Sequence, residues 1–492
     1  MQFLKFLRRV CIFVTLLWLP LSVTNLYGSP PLDSTLLNAT LSDSALSDYV
    51  FADDPYFQWK IIQEIPFDHG VEYRLSMTSQ RWQPKSTSQH PVWRHDLSLY
   101  VPNKRTQTTA LLFINGRNNS SRIKSSQYFS ALATHTQSIT AELYQVPNQP
   151  AIFKDDEDKI VRYEDSIVAY SWAQAMKNND PTNIVLFPMV KSAHQAMNSI
   201  VEVAKKLDVS ASPINKFVLS GASKRGWTTW LTAAIDPRVI GIVPLVIDVL
   251  NIKPSMAHHK QAYQQYSSAI RDYVREGIMS ALEEGVADST SKLIDPLTYK
   301  NSLTMPKLII NASGDQFFLP DSSQFYLEKL LGENYFRVIP NTNHSLNKTA
   351  YNSLTQFYVS ILSQTPLPSV KGNIVRAPGV PDIFSIVLSE KPISVTLWHA
   401  TNAQSRDFRV ESVGEAWVAT PWNNLPEVRL GVRSDLQSKA QSENSTYHYQ
   451  IPIDKKILPP GWHAIFAEIT FPSSQLPDTP LTLTTQVRVW HQ

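Results

Sequence analysis

Lys216-Phe-Val-Leu-Ser-Gly-Ala-Ser-Lys-Arg-Gly226 is the stretch on which the fold class turns. Its first four residues read as a strand covered on both faces, because an apolar run without alternation suits a parallel sheet. The chain then passes through a turn holding Ser223 and into a helical run from Trp227 to Ala234. A serine displayed on a tight strand-to-helix turn needs small neighbours. Gly221, Ala222 and Gly226 meet most of that need, although Arg225 stands where a strict Gly-x-Ser-x-Gly pattern has its second glycine. Taken alone, such a stretch is an ordinary turn more often than a catalytic one.

Working outward, Ala110–Ile114, Val239–Val243, Lys307–Ile310 and Tyr335–Ile339 read as further buried strands. Helical patterns lie between them at Ser192–Leu207 and Asp321–Leu331, each opened by a capping pattern (Ser192 with Gln195, Asp321 with Gln324). Alternating strands and helices predict an α/β class, specifically an α/β-hydrolase fold with a mostly parallel sheet and helices on both faces. In that fold an acid and then a base follow the nucleophile along the chain. Asp315 comes just after the strand Lys307–Ile310, and His344 just after the strand Tyr335–Ile339. Both therefore fall at the carboxyl edge of the sheet, where ligand sites collect. The reading is Ser223 as nucleophile, His344 as base and Asp315 as the acid orienting it. Asp248, one strand earlier, is the alternative acid.

An oxyanion needs backbone N–H donors. The amide of Lys224 is one candidate, and the loop Asn115-Gly-Arg-Asn-Asn119 holds the other, with Gly116, Arg117 and Asn118 open as to register. The side chains of Lys224 and Arg225 are read as cations for an oxyanion or a substrate carboxylate; the alternative is that Arg225 points into the helix–sheet interface and pairs with a structural acid such as Asp165 or Asp248. His258 and His259 are adjacent and rarely share a face, so a metal site is not expected, and no cofactor is. The run Asp155–Asp158 reads as solvated charge rather than a calcium site. Trp172, Trp227 and Trp230 either line a pocket or pack in the core.

Across 492 residues, 43% are hydrophobic and 18% charged, which suits more than one folded domain. The net charge of +3, without a basic tract, argues against a nucleic-acid partner. Lys5, Arg8 and Arg9 precede an apolar stretch, Val10–Val23, too short and Pro-broken for a comfortable membrane span. Residues 1–28 are read as a signal peptide, which would carry away Cys11, with a retained anchor as the alternative. Residues 29–365 are expected to form the hydrolase domain, with a helical insertion at about 253–304 carrying Tyr263, Tyr266, Ile270 and Val274 at helical spacing. After the turn-rich break from Thr365 to Gly372, alternation of period two predicts a small β-sandwich-like domain over 373–492. Its Trp398, Trp417 and Trp422 leave open whether it binds a polymer or packs on the sheet.

Several long blocks resemble the PhoPQ-activated pathogenicity-related protein family. They are Gly221–Trp230 continuing into Ala233-Ala-Ile-Asp-Pro-Arg-Val239, Leu143-Tyr-Gln-Val-Pro-Asn-Gln-Pro150, Val246-Ile-Asp-Val-Leu-Asn251, Phe317-Phe-Leu-Pro-Asp-Ser322 and Tyr335-Phe-Arg-Val-Ile-Pro-Asn-Thr-Asn-His344. Asn343 stands where that pattern is expected to have glycine. The resemblance implies an α/β-hydrolase, export in a Gram-negative bacterium to the periplasm or beyond, and an association with virulence regulation and antimicrobial-peptide resistance. The combined expectation is an exported serine hydrolase acting on a small-molecule or peptide substrate. Ester versus peptide bond and oligomeric state stay open. The competing reading is a non-catalytic binding protein on the same scaffold.

Overall fold

Lys216–Ala222 is the sixth strand, β6, of a nine-stranded sheet formed by the described residues. The computed structural model describes residues 44–492 apart from 83–89, 121–122, 209–211, 377–381, 423–438, 444–445, 454–457, 474 and 477. The segment 1–28 read as a signal peptide, with Cys11, lies outside the described residues.

The other strands of the sheet are β1 (Gln58–Phe67), β2 (Gly70–Arg81), β3 (Val92–Pro102), β4 (Thr109–Ile114), β5 (Thr140–Leu143), β7 (Val239–Leu245), β8 (Lys307–Ala312) and β9 (Asn334–Ile339). Their order is β1-β2-β3-β5-β4-β6-β7-β8-β9. The pairs from β5 through β4 to β9 are parallel, and β1, β2 and β3 extend the sheet antiparallel. This is the α/β-hydrolase arrangement. Every residue of β4 and β8 is buried, which is why those strands read as unbroken apolar runs. From β4 the chain moves to β5 on one side and later to β6 on the other, so the loops after β4 and β6 flank a topological switch point.

Two expected helices differ. The long helix begins at Leu186, not at Ser192, whose hydroxyl donates back to Pro188 O at 2.8 Å inside the helix. The start is set by burial of Leu186, Phe187 and Met189 rather than by a side-chain cap. The segment after Asp321 forms only short 3₁₀ turns, Ser322–Phe325 and Leu327–Lys329. Asp321 makes no cap there, because its carboxylate is held by His258 and Arg406.

Between β7 and β8 the chain forms the helices Ile252–Tyr263, Arg271–Arg275, Ile278–Glu284 and Asp288–Ile294. The expected single stripe is broken: the first helix stops at Tyr263 with Gln264 at φ 60°, and Val274 is exposed. No helix among the described residues is long and apolar enough to cross a membrane.

Beyond the helix Thr349–Ser363 lie two antiparallel sheets. One joins β10 (Val370–Val375), β11 (Asp382–Leu388), β14 (Lys439–Glu443) and β15 (Thr446–Ile453). The other joins β12 (Ser394–Asn402), β13 (Val418–Pro421), β16 (Trp462–Phe471), β17 (Leu481–Thr484) and β18 (Arg488–His491). Alternate residues Phe384, Ile386 and Leu388 face Leu397, Ile465, Ala467 and Ile469 in one buried cluster, which continues into Leu308, Ile310 and Phe357 of the α/β body. Thr484 Oγ1 accepts the Val338 N–H at 2.9 Å, tying β17 to β9.

Candidate active site

Ser223 joins β6 to the helix Lys224–Ile235 at φ 58°, ψ −129°, a backbone that non-glycine residues rarely adopt. Its N–H donates to Leu245 O at 2.8 Å, which anchors the turn to β7. The helix packs so close to the strand that a Cβ on Gly221 would lie 2.7 Å from Arg225 O, and one on Gly226 2.9 Å from Gly221 O. It is the backbone of residue 225 that approaches Gly221, while its side chain runs out to Glu164 and Val146 O.

The loops after β8 and β9 bring Asp315 and His344 to this serine. His344 Nε2 lies 2.8 Å from Ser223 Oγ, and Nδ1 lies 2.8 Å and 3.0 Å from the two Asp315 oxygens. A carboxylate only accepts, so Nδ1 carries the proton and Nε2 turns its lone pair to the hydroxyl. Asp315 is 2% exposed and also accepts the Phe317 N–H at 2.7 Å, which holds it facing the ring. Phe317 lies against the imidazole, ring centres 4.3 Å apart, and Gln316 Oε1 accepts the His344 N–H at 3.2 Å. The arrangement can take a proton from the serine and stabilise the imidazolium that results.

Asp248, the alternative acid, accepts from Tyr326 OH instead. Burial, reinforced by the nearby Asp315 and Asp321 charges, pushes its carboxyl up to about 7. An acid whose pKa is raised by folding holds its proton more tightly in the folded state, so stability falls as pH rises from the carboxylate range to about 7 and levels off above it. Asp248→Asn keeps an acceptor for Tyr326 and carries no charge. It is expected to melt about 2 °C or more above wild type at pH 8, a gain that vanishes near pH 4, when melting curves are compared across pH.

The elbow cations are neutralised rather than free. Arg225 donates to both Glu164 oxygens at 2.6 and 2.7 Å and to Val146 O at 2.6 Å. Lys224 Nζ lies 2.9 Å from Glu164 and 3.0 Å from Asp165. Of the two readings, the contacts seen are those with acids of the chain: Lys224 with Glu164 and Asp165, and Arg225 with Glu164 rather than Asp165 or Asp248. Glu164, at φ 53°, was missed because no local pattern marks it. Burial raises its carboxyl, but the Arg225 and Lys224 contacts outweigh that and hold it below the usual carboxylate range.

As the first residue of its helix, Lys224 has a main-chain N–H without an intrahelical acceptor. Across the cleft the loop after β4 is shaped by Arg225: a Cβ on Gly116 would sit 2.3 Å from its guanidinium. Arg117 takes φ 90° and lays its guanidinium over Tyr144, while Asn118 folds onto Ser120 N at 3.2 Å. Trp172 and Trp227 line a cavity that reaches Ser223, whereas Trp230 is core. His258 pairs with Asp321, and His259 accepts from Ser267 N at 3.1 Å, so the two diverge. Among the described residues no cluster of three His, Cys, Asp or Glu is placed to hold a metal ion. Asp156 pairs with Arg162 while Asp155, Glu157 and Asp158 face solvent.

The C-terminal sheets reach both loops. Val410 N donates to Gly314 O at 3.1 Å, and Asn341 exchanges bonds of 2.8 and 3.0 Å with the Trp417 backbone. Trp417 is buried in this contact, Trp398 stacks on Phe466, and Trp422 meets Tyr449 edge-on.

The model of the PhoPQ-activated pathogenicity-related protein family matches residues 46–409. Autocrine proliferation repressor protein A of Dictyostelium discoideum is 32% identical over 451 residues, 88% of this chain and 87% of that protein. Among solved structures, acetyl xylan esterase 1 from a Thermoanaerobacterium species is 16% identical with a TM-score of 0.46, covering 64% of this chain and 91% of its own. An acetyl xylan esterase from a Paenibacillus species is 11% identical with a TM-score of 0.45, covering 66% and 93%.

Proposed function

The chain belongs to the PhoPQ-activated pathogenicity-related protein family, and we propose that it is an exported serine hydrolase cleaving an ester or amide bond through an acyl-enzyme. The observation that carries this reading is the unbroken hydrogen-bonded chain Ser223–His344–Asp315 on a strained elbow. Ser223 Oγ attacks the carbonyl carbon while His344 Nε2 takes its proton. The tetrahedral oxyanion meets the Lys224 N–H and a second amide from the loop after β4. Collapse breaks the bond to the leaving group, which departs with the proton from His344. Water then repeats the sequence on the acyl-enzyme, giving its proton to His344 and releasing the acid, and Ser223 regains its proton.

Labelling with a fluorophosphonate probe tests the reading. Labelling of wild type that disappears in Ser223→Ala supports it; no labelling in wild type favours a binding protein on this scaffold. Export rests on the basic and apolar N-terminal segment. The extracellular or periplasmic protein is expected to begin at Asn25 or Ser29, read by N-terminal sequencing, and an intact Met1 in that fraction opposes cleavage.

A further inference from the structure

The cavity that opens beside Ser223 is walled by Trp172, Trp227, Met256, Met279, Phe317 and Phe318. Its polar lining beyond Ser223 is Lys224, Asp165 and Tyr273. The first two are paired at 3.0 Å, and Lys224 and Arg225 together face Glu164 and Asp165, so two cations meet two anions. Asp165 also accepts from Tyr273 OH at 3.0 Å. The wall therefore presents apolar surface and no unbalanced charge. A substrate carboxylate entering here would lose its water without gaining a free cation.

We propose that this cavity takes an uncharged apolar acyl group from the bond that Ser223 attacks. The proposal rests on the serine-hydrolase reading and specifies its substrate class. The acyl part stays covalently held on Ser223 while the leaving group must exit and water must enter, so the apolar cavity beside Ser223 suits the part that stays. Helices of the segment between β7 and β8 supply Met256 and Met279, whose flexible thioethers adapt to a chain of this shape. Each methylene that leaves water for such a wall strengthens binding in the acyl-transfer transition state.

The test is kcat/KM for p-nitrophenyl acetate, butyrate, hexanoate, palmitate and hemisuccinate, each divided by its rate with hydroxide, on the full chain. Hexanoate or butyrate is expected to exceed acetate by about tenfold, and hemisuccinate to fall at least about tenfold below butyrate. Met279→Trp, which fills the cavity, is expected to lower the hexanoate-to-acetate ratio about tenfold, and Met279→Ala to shift the optimum to a longer chain. If Met279→Trp fails to fold, the alanine variant alone decides the direction. A protein that reacts with fluorophosphonate yet prefers acetate or hemisuccinate overturns the cavity proposal and leaves the hydrolase reading standing. A protein that neither labels nor hydrolyses any of the esters overturns both.

Discussion

Ser223→Ala is expected to lower ester hydrolysis by on the order of 10⁴-fold or more, while the melting temperature stays near that of wild type. Removing Oγ removes the atom that would bond to the acyl carbon, and a methyl group cannot substitute for it. The backbone at φ 58° is no worse for alanine than for serine, so the elbow itself should persist. Residues that act as one unit are strongly non-additive. The double variant Ser223→Ala with His344→Ala should therefore be barely slower than the single one. Asp315→Asn separates the roles: it keeps the shape but loses the carboxylate that fixes the Nδ1–H tautomer, and a loss of comparable order is expected. The measurement is kcat/KM on the favoured ester, with circular dichroism to show that each variant folds. Residual activity within tenfold of wild type in Ser223→Ala would sink the covalent mechanism.

Glu164→Gln is expected to cost about 2–3 kcal/mol of stability and to lower kcat more than it raises KM. Lys224 and Arg225 are 6% and 10% exposed at their side chains; without the Glu164 charge Lys224 keeps Asp165, while Arg225 loses the carboxylate it pairs with. A fully buried pair broken in this way costs about 3–5 kcal/mol. The lower figure applies because the Glu164 side chain is 38% exposed, so water screens part of the interaction. The kinetic effect follows from Arg225, whose guanidinium lies against Gly116 and bonds Val146 O, setting the loop that faces the serine. Because folding depresses the Glu164 carboxyl, its contribution is present above the ordinary carboxylate range and is lost as pH falls below it. The stability gap between wild type and Glu164→Gln should shrink in acid accordingly. Urea denaturation at pH 7 and at pH 3.5, beside steady-state kinetics, reads all three effects. A gap unchanged by acid would mean that shape, not charge, is what Glu164 supplies.

Five of the parallel strands, β4, β6, β7, β8 and β9, were legible because they are covered on both faces and such strands need apolar residues at nearly every position, whereas the four-residue β5 was not read. The antiparallel extension β1–β3 was not, since one side of β1 is exposed and its polar residues blur the run. The short helix expected after Asp321 failed for a similar reason. Its capping pattern was present, but tertiary partners His258 and Arg406 took the carboxylate.

The elbow separates what the chain order determines from what contact at a distance decides. Gly221, Ser223 and Gly226 are marked by their spacing within one turn, and Asp315 and His344 take their places at the ends of buried strands. Contiguous residues determine such features, because sterics and burial within one strand and one turn suffice. The fate of Arg225 depended on Glu164, 61 residues away, and the cavity beside Ser223 is assembled from the elbow helix, the inserted helices and Phe317. A buried cation must find an anion wherever the fold brings one. That is why tertiary structure alone decided that the two cations beside Ser223 face acids of the chain and leave an apolar, neutral cavity.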